Sequence, residues 1–369
     1  MRVEKILLLL GVSVLGSPTL AALITLYVTG LILLDARQTQ TRVVRFLPGR
    51  CHDALNRLLR CMPLSSRAVM GLLIAFAKGL RLTGYLCLDE VIVEKAFAKR
   101  LPWAGWTYSS AQKRKVYGLL IVVLLWCSPD GHWRIPVGFR LWRPKRSCGR
   151  HPYYTRIELA EQLVVAVVSA TLPTQYIVFD THYSAGWFTK RLNALGLTWH
   201  GTLDPRTIVV WGGRRQAVST LAASLKLKWR DALELRAKAL RVYAPKYGQL
   251  RLVVTKNRHG NYDYLVSNDL QLDLTSMVVR KRSRWNIETI FRDSKQFAGL
   301  EACQGWVDQA LVRHVALVLL TFVVLQRLRA SPTESVGQVK ERWQLAAIRN
   351  GQLPPPPLRA CPTTLRATA

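Results

Sequence analysis

The chain has 369 residues, half of them apolar, enough for a sizeable core in one large or two ordinary domains, so a disordered or low-complexity protein is excluded. Its 53 Lys and Arg against 22 Asp and Glu leave a formal charge of +31, far more than solubility needs, and call for a polyanionic partner: nucleic acid, with an anionic membrane surface or an RNA scaffold as rivals. The seven cysteines, at 51, 61, 87, 127, 148, 303 and 361, fall in no CxxC or Cys/His zinc spacing and are expected to be reduced thiols of a cytoplasmic protein; Cys148 and His151 find no second pair.

From Ile6 to Leu34 there is no charged residue, a run long enough to span a bilayer or to imitate a signal peptide after Arg2 and Lys5. Ser17-Pro18-Thr19 interrupts it, with Ser suited to an N-cap and Pro to the first helical position, so two shorter helices are expected. In the second, Leu20, Leu23, Ile24, Tyr27, Val28 and Leu31 recur at helical spacing while Thr25 and Thr29 lie opposite, as in a buried or dimerising helix. Packing helices without stable membrane association are therefore expected, the alternative being a membrane anchor. Arg37, Arg42, Arg45 and Arg50 follow, then a turn at Pro48-Gly49 and a helix from His52 to Arg60. Residues 1–80 read as an N-terminal helical module for DNA contact or dimerisation.

From Gly84 the texture changes to strands. Tyr85 to Val93, Val116 to Cys127 and His132 to Trp142, the last two joined by Ser128-Pro129-Asp130-Gly131, predict an antiparallel meander. A helix over Thr155 to Ala170, a strand from Gln175 to Phe179 ending at Asp180, and a helix over Ala185 to Leu195 complete the first part of a core spanning 81–201. Trp103, Trp106 and Tyr108 are expected to pack, and the run Arg140, Arg143, Lys145, Arg146 and Arg150 can track a DNA backbone or lie in a solvated loop. Residues 202–277 read as a β-rich insertion: Trp211-Gly212-Gly213-Arg214-Arg215, a polar helix, then strands Leu250 to Thr255 and Tyr262 to Val266 around the turn Asn257 to Asn261. Helices return within 278–330 as the last part of the core, and 331–369, with Pro354 to Pro357, reads as an irregular tail. The fold class is α/β, a mixed sheet with flanking helices.

Three acids stand out. Asp89 interrupts the apolar strand Gly84-Tyr-Leu-Cys-Leu-Asp-Glu-Val-Ile-Val, and alternation turns Glu90 to the other face. Asp180 sits at the C-terminal end of Tyr176-Ile-Val-Phe, where open sheets place ligand groups. Two carboxylates on neighbouring strands suit hard cations such as Mg²⁺, and a metal pair about 4 Å apart can activate an attacking water and stabilise a leaving oxygen. A helix from Arg280 to Lys295 would bring Arg284, Glu288, Arg292 and Lys295 to one face, the cations available for phosphates, with Trp285 available to stack on an exposed base. Singly, each acid also has a structural reading, as a strand-end cap or an i,i+4 ion pair. His182, two after Asp180, reads as a hydrogen-bonded loop histidine.

Taken together, the pattern resembles the DDE transposases of bacterial insertion sequences, specifically the IS-four superfamily, whose last acid lies in a Y-x2-R-x3-E-x6-K signature. Arg284, Glu288 and Lys295 match its spacing, Lys281 replaces the tyrosine, and LDE at Asp89 and VFDTHYS at Asp180 resemble the family's first two motifs. The resemblance covers roughly residues 84–330. It implies an RNase H-like catalytic domain with a β-rich insertion before the last catalytic helix, and cut-and-paste transposition on double-stranded DNA, element ends and target alike. It also implies two Mg²⁺ ions, with Mn²⁺ as substitute, a homodimer in the synaptic complex, a DNA hairpin intermediate, and a cytoplasmic, nucleoid-associated location. Under it Asp89, Asp180 and Glu288 bind metal and catalyse, while Arg284, Lys295, Trp285, Arg292 and Lys281 contact DNA. The competing expectations are a metal-dependent nuclease on the same core and a catalytically silent DNA-binding derivative; the intact acids argue against the second.

Overall fold

A computed structural model of the chain describes residues 3–34, 39–46, 52–98, 101, 103–109 and 112–351. Arg37, Arg50, the Pro48-Gly49 turn and the Pro354 to Pro357 run fall outside them, as does the side chain of Arg45.

The centre is one twelve-stranded mixed sheet. Its first part contains β1 (Gly84–Glu94), β2 (Ala104–Ser109), β3 (Arg114–Cys127) and β4 (Arg134–Trp142). Strand β3 lies antiparallel to β1 on one side and to both β2 and β4 on the other. All residues of β3 from Val116 to Cys127 are buried, as a Val/Ile/Leu run in mid-sheet requires. Next come β5 (Thr174–Val178) and β6 (Thr198–Thr202), parallel to β1 and to each other. Four strands in antiparallel pairing followed by two parallel ones form a mixed α/β arrangement compatible with an RNase H-like core. β1 starts on a glycine because a Cβ at Gly84 would lie 2.2 Å from the Cys127 carbonyl oxygen and 2.4 Å from the Trp126 ring.

The segment expected as an insertion continues this sheet. It contributes β7 (Ile208–Trp211), β8 (Arg214–Ala217), β9 (Lys228–Arg230), β10 (Leu235–Ala244), β11 (Gly248–Lys256) and β12 (Tyr262–Ser267). Strand β12 pairs with β6, and a small core of Leu233, Ala237, Val253, Leu265, Leu272, Met277 and Val278 sits against this half. Gly212 and Gly213, both at positive φ (54° and 75°), make the two-residue turn between β7 and β8 that matches the strand twist.

Helices cover the sheet and build the N-terminal part: α1 (Val3–Leu9), α2 (Pro18–Leu33), α3 (Gln40–Phe46), α4 (His52–Arg60), α5 (Ser66–Gly79), α6 (Arg156–Ser169), α7 (Gly186–Ala194), α8 (Val218–Ser224), α9 (Leu274–Ser283), α10 (Trp285–Gln296), α11 (Asp308–Arg327) and α12 (Val336–Arg349). The caps are those the sequence suggests: Ser17 caps α2 with Pro18 next, and Thr155 and Glu158 form a reciprocal capping box on α6. The predicted face of α2 is buried inside the fold, against α11 and α12, with Ile24, Val28 and Leu31 fully inaccessible. α11 is the one described helix long and apolar enough to cross a membrane, and 83% of its apolar window is buried by the rest of the chain. Its buried polar groups are satisfied: Arg313 donates to the Leu64 and Leu59 carbonyls at 2.9 and 3.0 Å, and Gln326 exchanges hydrogen bonds with the backbone of Arg134. Each fully buried Leu, Val or Phe along it contributes roughly 2 kcal/mol of transfer free energy.

Four expectations need correction. A single polar helix between Arg215 and Leu250 gives way to short α8 and the strands β9 and β10. The tail contains α12, closed by a Ser335–Gln338 capping box and held by buried Lys340, whose Nζ donates to the carbonyls of Leu31, Leu34 and Phe297. The stretch around Trp106 and Tyr108 is a strand, β2, and these two side chains are exposed rather than packed. The helix expected across Arg280 to Lys295 breaks at Arg284, the junction of α9 and α10. Helix α5 has no counterpart among the expected elements.

Candidate active site

In the parallel pairing of β1 with β5, Cys87 stands opposite Val178. Asp89 and Asp180 each lie two residues beyond that pair, which carries the two carboxylates to the same end of neighbouring chain segments. Asp89 Oδ1 accepts from the Glu90 amide at 2.9 Å, and Asp180 Oδ1 accepts from the His182 amide at 2.9 Å, capping a single 3₁₀ turn over Thr181–Tyr183. The third acid arrives on α10, which lies along the Asp89 face of β1. Asn286 donates to the Tyr85 hydroxyl at 2.7 Å, the Cys87 thiol points to the Ser283 carbonyl at 3.7 Å, and Lys295 donates to the Ile92 carbonyl at 2.7 Å.

Between these contacts, Arg284 donates through Nη1 to Asp89 and through Nη2 to Glu288. One guanidinium therefore bridges the first and third acids. Burial works against its charge, but Asp89, Glu288 and Asp180 together hold its pKa above the ordinary value. Asp89 is pushed up to about 7, first by burial and then by neighbouring Asp180 and Glu90, against the opposing influence of Arg284 and the Glu90 amide. Lys281 is mostly buried and its pKa is lowered by burial and by Arg284, while Asp180, Asp263 and Asp89 act in the other direction. The lysine in the signature's tyrosine position thus lies within electrostatic reach of the acids.

The remaining predicted residues divide. Trp285 opens α10 with 64% exposure. Arg292 is exposed and pairs with Asp293 at 3.0 Å. Lys295 has, besides Ile92, an ion pair with Glu301 at 3.1 Å, so its ammonium is engaged with protein at the far end of the α10–β1 seam. His182 is an exposed loop residue, edge-on to Tyr183. Of the basic run after β4, Arg143 is engaged with Asp308 at 2.6 Å and lies 4.3 Å over the Trp103 ring.

A second layer was not anticipated. On the opposite face of β1, Glu90 accepts from Arg156 at 2.7 Å and from the Tyr183 hydroxyl. Tyr183 is fully buried and follows Asp180 by three residues. The signal available in the sequence was an aromatic at fixed offset in VFDTHYS beside an acid whose alternation pointed it away from the site.

Carboxylates are the oxygen donors that hard divalent cations prefer. Among the described residues no three acid, histidine or cysteine side chains already form a metal cage. The position between Asp89 and Glu288 is nevertheless that of a cation, held by Arg284, and Asp89 remains raised despite it, so the acids fit a further positive charge.

Residues 13–224, more than half of the chain and including Asp89 and Asp180, match the family model of the DDE superfamily endonucleases. The chain belongs to that family. No curated protein matches it. In a DDE endonuclease, DNA is the substrate and divalent metal the usual cofactor, which accords with the formal charge of +31 and with acids gathered at one end of β1 and β5. Glu288 lies beyond the matched residues and is linked to Asp89 through Arg284.

Proposed function

We propose that this DDE superfamily endonuclease is a cut-and-paste DNA transposase of the IS-four kind, with Asp89, Asp180 and Glu288 as its catalytic acids. The observation that carries the reading is the bridge from Asp89 through Arg284 to Glu288, at the R-x3-E spacing, beside an Asp180 brought to the same end by the β1–β5 register.

Asp89, Asp180 and Glu288 would hold two Mg²⁺ ions, or Mn²⁺ in their place. When bound, these supply activation of the attacking hydroxyl and charge stabilisation at the leaving oxygen. The chain's own residues do the rest. Glu90, Arg156 and Tyr183 fix the loop that presents Asp180. Lys281, within electrostatic reach of the acids, would bind a phosphate oxygen of the cut strand, and Arg284 and Arg292 would hold flanking phosphates. Trp285 stacks on a base displaced near the cut. Lys295 fixes α10 to β1, a positioning role that leaves phosphate contact as a second use of the same ammonium. The protein acts on element ends and target as a homodimer, in the bacterial cytoplasm and on the nucleoid. Residues 1–80 serve DNA contact or dimerisation, 81–201 and 278–330 the core, and 202–277 the insertion.

The test is to incubate the purified full-length chain with DNA carrying candidate element ends in Mg²⁺ or Mn²⁺, with EDTA and Asp89→Ala as controls, and to resolve the products on denaturing gels. Metal-dependent breaks lost in Asp89→Ala support the acids, and joined products support transposition. Breaks without joined products reduce the activity to that of a nuclease. DNA bound but never cut in either metal overturns the proposal.

A further inference from the structure

Alternation along β3 places Tyr117 and Lys115 on the same sheet face as Val123, the residue paired with Asp89. On the neighbouring strand, Trp106 stands opposite Tyr117 and Tyr108 opposite Lys115, so both aromatics share that face. Directly opposite residues of an antiparallel pair point the same way, so the ribbon's aromatics lie on the acids' side of the sheet, beyond a stretch in which Val91, Val93, Leu119 and Ile121 are buried. There β2 is the last strand of the sheet, with Trp106 60% and Tyr108 59% exposed. Large aromatics on a free sheet edge need a reason, since such an edge invites unwanted pairing.

The charges beside them give one. Lys113, Arg114 and Lys115 are all exposed; Arg114 pairs with Glu94, whereas neither lysine has an ion pair among the described residues. Trp106 is held edge-on against Tyr117, with ring centroids 5.6 Å apart, which fixes the indole without covering it. Exposed aromatic planes next to unpaired cations are what a nucleic acid strand meets as stacking platforms and phosphate partners.

We infer that the β2–β3 ribbon is a DNA-contacting arm, in which Trp106, Tyr108 and Lys115 engage the duplex that enters the active site, on the flank of the cut. The inference rests on the reading of the chain as a DNA-cutting enzyme. From Val123 to Tyr117 is six residues, about 20 Å at the rise of a strand. Lys115 and Tyr108 lie two residues further, and DNA rises about 3.4 Å per base pair, which places the contacts roughly six to eight base pairs from the phosphate held at Asp89. The occupant is this same DNA because the exposed end of the ribbon and the acids lie on one side of the sheet, and its charge is the complement of the ribbon's.

The experiment uses the full chain and a fluorescein-labelled duplex, followed by anisotropy without metal and by nicking with Mn²⁺, alongside sedimentation mass and thermal unfolding. Trp106→Ala with Tyr108→Ala is expected to weaken duplex binding roughly tenfold at an unchanged unfolding temperature, with Trp106→Phe largely restoring it. Lys115→Ala is expected to reduce the slope of log affinity against log salt by about one. If the wild type neither binds nor nicks DNA, the parent reading fails and the arm with it. If the wild type does both and the double variant binds equally well, the arm alone is overturned. A change in sedimentation mass with unchanged DNA binding also overturns it, and makes β2 an edge for a second copy of the chain.

Discussion

The Tyr183 hydroxyl donates to Glu90, so the residue three after Asp180 is tied to the residue one after Asp89. This bond crosses from the Asp180 loop to the strand that carries Asp89, and Arg156 holds the other oxygen of the same carboxylate at 2.7 Å. Burial and the adjacent Glu90 raise the Tyr183 pKa far above its ordinary value, so the phenol stays a donor throughout the useful pH range. Tyr183→Phe removes one oxygen and keeps the ring. Leaving Glu90 short of a donor costs about 1–3 kcal/mol. The expected functional effect is on metal affinity, because outer-layer partners of metal-holding carboxylates typically change it about tenfold or more. In cleavage titrated with Mg²⁺, half-saturation should rise by that factor while the rate at saturating metal changes less. Identical titration curves for wild type and variant would show that the bond does not position Asp180.

Arg284 occupies the place between Asp89 and Glu288 that a metal ion would contest. Above pH 7, where Asp89 is ionised, Arg284→Ala leaves a half-buried carboxylate without its counter-charge, and breaking such a pair from one side costs up to about 3–5 kcal/mol. Divalent cation should recover much of that loss. The measurement is thermal unfolding of wild type and Arg284→Ala with and without Mg²⁺: the variant is expected to unfold at lower temperature in EDTA and to gain more from Mg²⁺ than the wild type does. An equal metal-induced shift in both proteins would mean that the guanidinium and the metal do not share a place.

The raised pKa of Asp89 has a defined sign. Without metal, the folded chain keeps a proton on this group up to about pH 7, while the unfolded chain releases it near 3.8. The stabilisation from that proton is complete below about pH 4 and is lost as pH rises through 7. Metal binds the anion, so Mg²⁺ binding at pH 6 is expected to release close to one proton and at pH 8 almost none from Asp89. Calorimetry in buffers of different ionisation enthalpy reads the difference directly, and Asp89→Asn should abolish it. Equal proton release at both pH values would remove Asp89 from the metal site.

These site relationships were unequally legible in the sequence. Asp89 was visible because a carboxylate broke an apolar strand, Asp180 because it closed one, and Glu288 because helical spacing set it four residues from Arg284. The partnership of Arg284 with Asp89 was invisible, since it joins α10 to β1 across nearly the whole core. Strand β10 was missed because Leu235-Arg-Ala-Lys-Ala-Leu240 is made of good helix formers, and pairing with β11 along its full length overrides that local preference. Strand β2 is not legible because its exposed face is aromatic, a composition that reads as packing, whereas Trp106 and Tyr108 stay exposed. The start of α2, within the N-terminal run, is legible from one capping serine and one proline, yet its partners, α11 and α12, cannot be inferred from spacing alone.

The hold on that N-terminal run yields a last prediction. His314 of α11 receives a hydrogen bond from the Tyr27 hydroxyl of α2 on Nδ1, at 2.8 Å, and its Nε2 donates to the Gly299 carbonyl at 3.0 Å. Both bonds suit the neutral ring with its proton on Nε2. Burial, together with nearby Lys95, lowers its pKa to about 4. The unfolded chain binds this proton near pH 6.5, so the contribution to stability is complete above that pH and is lost as pH falls towards 4. The difference amounts to roughly 3 kcal/mol for a shift of that size. Burial and Arg280 depress His200 to about 3 in the same direction, so the two add. Urea unfolding at pH 7 and pH 4.5 should therefore show a larger loss in wild type than in His314→Gln, and amide exchange in α2 should accelerate over the same interval. A His314→Gln protein that loses as much stability on acidification as the wild type would show that the Tyr27–His314 contact is not what acid breaks.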